Sequence, residues 1–398
     1  MRTVERREAA QVSLAGLALV LVLGLVGPLL ATPRRAGIPV AVGEILAGVL
    51  VGRTGTGWVD PDTPVLSFLA SAGFALIMLI AGSHVPLRDA ALRVALRRGA
   101  LLAGVTGALA VPVGYGVAAL FGTGHALLYA VLFASSSAAL VMPAIDEARL
   151  DASPDTGLAA SPVLATIVHV TIADTACIVL LPLAEQPERA GRAALGVLAV
   201  LATGAAFLLA MRGLRIRGLL ARMHKLSRKR HFGLELRLQL VIVFALAGLA
   251  QQLGVSVMLA GFAAGLGLAA VGEPRRLARQ LFAVADGFLG PVFFVWLGAS
   301  LDLRALAAHP RMIALAGALA LGTLAVHAAA RLLGQPVPLA VLAAAQLGVP
   351  VAAVTIGTRA GLLRPGEGGA ILAAALVSIG ASSWAVSRAA RVRRAPGT

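Results

Sequence analysis

Apolar residues run along the chain in thirteen stretches, each 15 to 28 residues long and closed off by clusters of Gly, Pro and Arg. Their approximate bounds are 11–32, 38–52, 65–86, 99–121, 125–147, 157–184, 193–211, 236–252, 255–272, 281–301, 312–334, 336–361 and 368–388. A helix of about 20 apolar residues satisfies its own backbone and spans the hydrocarbon core of a bilayer. The pattern therefore predicts an all-α polytopic membrane protein with about 13 transmembrane helices. The ten-residue alternation of a β-barrel is absent. The first stretch, Gln11 to Thr32, exceeds a signal-peptide core and runs into Pro33-Arg34-Arg35, so a retained span is expected. The second stretch is short, and the tenth contains Pro291.

The pattern repeats. ILAGVLVG at 45–52 is echoed by MLAGFAAG at 258–265, an offset of 213. Gly73-Phe74 returns as Gly287-Phe288, and Leu87-Arg88 as Leu303-Arg304, at offsets of 214 and 216. The shared offset equals seven spans. Seven is odd, so the second copy must be inverted relative to the first, a signature of secondary transporters. Such transporters bind their ions where helices are interrupted at matching positions of the two repeats. FASSSAALVMPAIDE in span 5 has Ser135-Ser136-Ser137 and then Pro143. AAAQLGVPVAAVTIG in span 12, seven spans later, has Gln346, Gly348 and then Pro350. Both spans are expected to be broken helices, which free backbone N–H and carbonyl groups for ions.

Composition agrees with a membrane protein. The 398 residues are 59% apolar and only 13% charged, with a mean hydropathy of +0.90; a soluble domain is about 45–50% apolar and about 25% charged. Scarce aromatics and abundant Ala and Gly suit helices packing closely in lipid. A net charge of +16 would suggest nucleic acid in a soluble protein. Here the basic residues lie between spans and read as topology signals and lipid-headgroup contacts, so no nucleic acid partner is expected. With the N-terminus outside, 24 of the 34 Lys and Arg fall on the inner side and 10 on the outer, which favours an N-out, C-in orientation. The largest basic block, Arg212 to Arg230, reads as a cytoplasmic linker on anionic lipid. The single cysteine, Cys177, lies in an apolar run and reads as a small packing residue; it says nothing about disulfides, and a cofactor or structural metal built on cysteines is excluded.

The chemistry narrows to one carboxylate. Of eighteen acidic residues, only Glu44 and Asp174 lie well inside a span, with Asp286 near an edge. Asp174 sits in VTIADTACIVLL, and a carboxylate near the bilayer centre costs about 2.5–3.5 kcal/mol on insertion scales. The two lysines, Lys225 and Lys229, are in the linker, and no arginine falls at midplane, so no permanent partner is evident. Desolvation disfavours a bare carboxylate, which suits a group that holds a proton at one moment and a cation at another. Hard monovalent cations such as sodium prefer oxygen ligands. Thr171, one helical turn before Asp174, and the serines of span 5 could add them. His169 and His327, each alone within a span, read as packing residues or proton relays; His169 lies about 140° round the helix from Asp174. Glu44 is a further candidate. A protonated Asp174 acting only as interhelical glue is the structural alternative.

On these residues the chain resembles the cation:proton antiporter superfamily, specifically the Kef-type, monovalent cation:proton antiporter-2 branch. The resemblance is carried over nearly the whole chain by GEILAGVLVG at 43–52, ASSSAALVMPAIDE at 134–147, IADTACIVLLPL at 172–183, LAGFAAGLGLA at 259–269, GPVFFVWLGASLDL at 290–303 and AQLGVPVAAVTIGTRAGLL at 345–363. It implies a homodimeric sodium– or potassium–proton exchanger of the plasma membrane, with no cofactor and no enzyme activity. It places the proton- or cation-binding carboxylate at Asp174, supporting oxygens at Ser136 and Ser137, and the second broken helix around Gln346. It also implies an elevator. Core helices at 93–190 and 309–390 would slide against dimerising helices at 1–92 and 236–308, with a linker at 191–235 and a short tail at 391–398. No nucleotide-binding regulatory domain is expected to follow Arg394.

Three departures stand out. Ala173 replaces the usual first member of the ion-binding pair. The intramembrane lysine of electrogenic members has no counterpart in span 11, where His327 is the titratable residue. Leu347-Gly348-Val349 stands where Arg-Gly-Glu is usual. One carboxylate with no competing lysine suggests one-for-one, electroneutral exchange. The same departures keep two alternatives open: a coupled transporter of another solute, and a non-transporting sensor or subunit that retains the fold.

Overall fold

Every regular element that a computed structural model describes is helical. The described residues are 14–32, 40–83, 90–147, 161–185, 188, 190–217, 234–271 and 275–394. Among the described residues, eight helices are long and apolar enough to cross a membrane, and five shorter apolar helices accompany them. These coincide one for one with the thirteen stretches of the hydropathy pattern. The short second stretch is α3, twelve residues from Val40 to Val51, after α1 (Leu14–Gly24) and α2 (Val26–Ala31). Next come α4 (Pro64–Ser83) and α5 (Ala90–Phe121).

Span 5 is broken as expected. Helix α6 (Ala126–Ala134) stops where Ser135 turns extended, with φ −72° and ψ 151°. Serine hydroxyls compete for backbone acceptors and disfavour helix interiors. Helix resumes as α7 (Ala138–Glu147), and Pro143 lies inside it. The chain continues through α8 (Pro162–Glu185), α9 (Ala190–Ile216), α10 (Leu234–Gln252), α11 (Val257–Val271) and α12 (Arg275–Val284). One π-helical stretch, Ala285–Leu289, precedes α13 (Gly290–Ser300), absorbing the missing N–H of Pro291. After α14 (Leu303–Ala307) and α15 (Pro310–Ala328), span 12 is broken too. Helix α16 (Val337–Leu342) and α17 (Gly348–Arg359) flank residues 343–347, and Pro350 sits in the first turn of α17, where its missing N–H does no harm. Helix α18 (Glu367–Arg394) closes the fold.

The described helices group into two compact units. One comprises 1–17, 62–88 and 188–293; the other comprises 18–61, 89–187 and 294–398. Each is stitched by close glycine contacts. In the second unit, a methyl at Gly48 of α3 would land on the Val295 carbonyl of α13, one at Gly52 on Ala299, and one at Gly298 on the Ile45 carbonyl. In the first unit, a methyl at Gly265 of α11 would strike Leu79 and Ser83 of α4, and one at Gly82 the Phe262 carbonyl. Gly48 and Gly52 correspond to Gly261 and Gly265 at the offset of 213, and Gly82 corresponds to Gly298 at 216. The duplication in the sequence is therefore a duplication of packing, with the partners exchanged between repeats.

Loop contacts in the second unit obey the thirteen-span parity. Arg98 donates to the Gly334 carbonyl, and Gln335 to the Pro162 carbonyl and Thr166 hydroxyl. All of these lie on the side richer in basic residues. On the other side, the Thr54 hydroxyl donates to the Leu301 carbonyl and accepts from the Leu303 N–H. There, too, Glu367 is completely buried at the start of α18. Its Oε1 accepts from the Tyr129 hydroxyl and from His125 Nδ1, each at 2.6 Å, and its Oε2 accepts from the Arg364 N–H at 2.9 Å. This ties the first turn of α6 to that of α18. Glu367→Ala strands those donors and is expected to cost about 2–4 kcal/mol, whereas Glu367→Gln retains most acceptors. Thermal unfolding in detergent reads the difference; equal midpoints for Ala and wild type would refute it.

Candidate functional site

The two breaks meet each other. The Ser135 hydroxyl lies 2.7 Å from Gln346 Oε1 and 2.9 Å from the Leu132 carbonyl, sharing its proton between them. The Ser136 hydroxyl donates to the Ala343 carbonyl at 2.7 Å. Gln346 Nε2 donates to the Thr323 hydroxyl of α15 at 2.9 Å. A small cavity opens beside Gln346, bounded by Thr323, Pro350, Leu132 and Ile371. Around the breaks, Val141 of α7, Val170 of α8 and Leu342 of α16 share one buried apolar cluster. That cluster holds α8 against both interrupted spans.

Helix α8 delivers Asp174 to the first break. The residue is 4% exposed, and its Oδ2 accepts the Ala138 N–H, the first of α7, at 3.0 Å. A helix N-terminus presents unpaired N–H groups and the positive end of the helix dipole. The carboxylate thus faces backbone polarity rather than a fixed cation. Among the described residues, no Lys or Arg stands within ion-pair distance of it. Its neighbour Ala173 is buried, and its side chain offers no ligand atom.

Ser135, Ser136, Ser137, Asp174 and Gln346 are all buried at or beside the breaks. Ser137 occupies the cap of α7, where its carbonyl accepts from the N–H groups of Leu140 and Val141. The Thr171 hydroxyl donates to the Ile167 carbonyl of its own helix at 2.8 Å. Glu44 is buried in α3 against Gly27 of α2. His169 and His327 turn out to be one pair, with rings stacked 5.7 Å apart. His327 Nδ1 donates to the Thr323 carbonyl, one turn back, so the pair adjoins the Gln346–Thr323 link. The residues that sequence reasoning passed over are the Ala138 N–H and Thr323. An N–H leaves no trace in residue identity, and a threonine at helical spacing from His327 looks like any other.

The Ser135–Gln346 contact joins residues 211 apart. In a double-mutant cycle of Ser135→Ala and Gln346→Leu, the coupling energy is expected at about 0.5–3 kcal/mol, read by thermal unfolding. Strict additivity would mean that the two side chains do not bond.

The family described as sodium/hydrogen exchanger, transmembrane, matches residues 18–388. The chain is similar to the glutathione-regulated potassium-efflux system protein KefC of Cronobacter sakazakii, at 30% identity over 279 residues, 69% of this chain and 43% of that one. It is similar to the Na(+)/H(+)-K(+) antiporter GerN of Bacillus cereus, at 23% identity over 269 residues, 66% of each. It spans about half the length of KefC and of YjbQ of Bacillus subtilis, 43% and 48%. The solved sodium proton antiporter MjNhaP1 of Methanocaldococcus jannaschii shares its fold, with a TM-score of 0.55 at 17% identity over 94% of both chains. Its apolar helices and these matches make it an integral membrane protein. With the match covering nearly its whole length, the chain belongs to the sodium/hydrogen exchanger family.

Proposed function

We propose that the chain is a secondary active transporter that exchanges sodium or potassium for protons, with Asp174 binding the proton and the cation in turn. The observation that carries this is a buried carboxylate held at the N-terminus of a half-helix, without a fixed cation, where two broken spans touch. A proton neutralises that carboxylate. So does a monovalent cation, helped by neutral oxygens of the breaks such as those of Ser135, Ser136 and Gln346. The two ligands claim the same oxygens, so each excludes the other, and that exclusion couples their movements. One carboxylate exchanging one charge for another makes the cycle electroneutral. Alternating access supplies the rest of the reading. The helices at 93–190 and 309–390 carry the site as an elevator against those at 1–92 and 236–308 in a homodimer. The N-terminus lies outside and the C-terminus in the cytoplasm of a plasma membrane.

The test uses everted vesicles from an antiporter-deficient strain with a pH-gradient dye. Sodium, lithium, potassium and rubidium are added in turn. Collapse of the gradient by one of them, in wild type and not in Asp174→Asn, supports the proposal. No response from well-expressed wild type across about pH 6 to 9 refutes it. A transport current that follows membrane potential in proteoliposomes would refute the electroneutral part alone.

A further inference from the structure

Buried carboxylates in folded proteins have partners, and the exceptions call for a reason. Glu367 shows the rule, with both oxygens engaged and two helices fastened by them. Glu185 is the exception. It is only 8% exposed, and among the described residues neither Oε1 nor Oε2 has a hydrogen-bond partner. It is also the last residue of α8, where the negative end of the helix dipole opposes a carboxylate. It therefore joins no helices and caps nothing, while desolvation and dipole both act against it.

Its register links it to the site. Asp174, Ile178, Leu181 and Glu185 follow one another at spacings of four, three and four residues, which places them on one face of α8. All four are buried, so this is the face turned into the protein. Eleven residues separate the two carboxylates, a rise of about 16 Å, or half the thickness of a hydrocarbon core. Ile178 and Leu181 lie between them with no exposed surface, so the two acids form separate sites divided by a dry step. On the proposed orientation Glu185 is at the outer end.

We propose that Glu185 is a second ion-binding carboxylate at the outer end of α8, one that takes a hard monovalent cation in exchange for a proton. Either ligand removes the unfavourable charge that its surroundings leave uncompensated. The inference rests on the exchange reading above, and its test is separable from that reading.

Dicyclohexylcarbodiimide modifies protonated carboxyls in apolar surroundings, and peptide mass spectrometry reports the modified fraction at each residue. The purified full-length chain is treated in choline medium and then with sodium, lithium, potassium or rubidium replacing choline. Glu185 is expected to be modified in choline. Modification should slow about tenfold in one of these cations at ten times its dissociation constant, as mass action requires. The protection is expected in Asp174→Asn as well, which rules out a relay of cation binding from Asp174. No modification of Glu185, equal modification with and without every cation, or protection that vanishes in Asp174→Asn each overturns the inference. Exchange that persists in Asp174→Asn would instead overturn the assignment of Asp174 and leave the Glu185 result standing. In proteoliposomes, Glu185→Gln should raise the KM for the cation offered from that side more than it lowers kcat, with Glu185→Asp closer to wild type. A glutamate that only fills space would leave KM unmoved by this isosteric change.

Discussion

Asp174→Asn is expected to cut cation-driven proton exchange by about a hundredfold or more, equivalent to ~2.7 kcal/mol, while leaving the folded yield unchanged. Asn matches Asp in size, and its carbonyl oxygen can still accept the Ala138 N–H. What it loses is the charge and the capacity to be protonated. Asp174→Ala is a poorer probe, because it also strands the Ala138 N–H in a buried break and lowers stability. Asp174→Glu keeps the charge but adds a methylene in a packed position, so a reduced yet measurable rate is expected. The reading comes from initial rates in vesicles normalised to protein quantity, with size-exclusion profiles as the fold control. An Asn variant that exchanges at more than half the wild-type rate would remove Asp174 from the centre of the mechanism.

Gly298→Val carries the largest expected effect on stability. A side chain there meets the backbone of Ile45 and Val49, which cannot rotate aside. Helices α3 and α13 must separate, and small-residue interfaces supply much of helix association in lipid. The expected loss is about 3 kcal/mol or more, seen as a lower unfolding midpoint and poor yield. Gly265→Val in the other unit should behave alike, since its side chain would meet the backbone of Leu79 and Ser83. Gly267, two residues further along the same helix, has nothing within 4 Å of an added Cβ. Gly267→Val should therefore lie within about 0.5 kcal/mol of wild type. Equal effects at 265 and 267 would show that helix propensity, rather than close approach, sets the outcome.

Much of this was legible before any coordinates. Hydropathy marks each span because a bilayer demands a long apolar run, and serines, Gly and Pro mark the breaks because they disrupt helices locally. Asp174 stood out by its isolation. What the sequence could not carry was partnership. Ser135 meets Gln346 across 211 residues, and His169 stacks on His327 although each looked solitary. Thr171 shared a face with Asp174 by spacing, yet its hydroxyl turns to its own backbone, as helical threonines commonly do. Glu185 and Glu367 both fell at span ends and looked alike; only packing reveals that Glu367 is fully bonded while Glu185 has no hydrogen-bond partner among the described residues.

The exchanged glycine contacts bear on how the chain is made. Gly48 waits for Gly298, and Gly82 for Gly265, so in each unit a helix from the first repeat closes on one from the second. During synthesis the early helices enter the bilayer well before their partners emerge from the ribosome, which adds about 5–20 residues per second. Until then their small-residue grooves are lined only by lipid. Neither unit can be completed by the first half of the chain, so a truncated nascent product is expected to be a substrate for membrane quality control rather than a stable half-transporter.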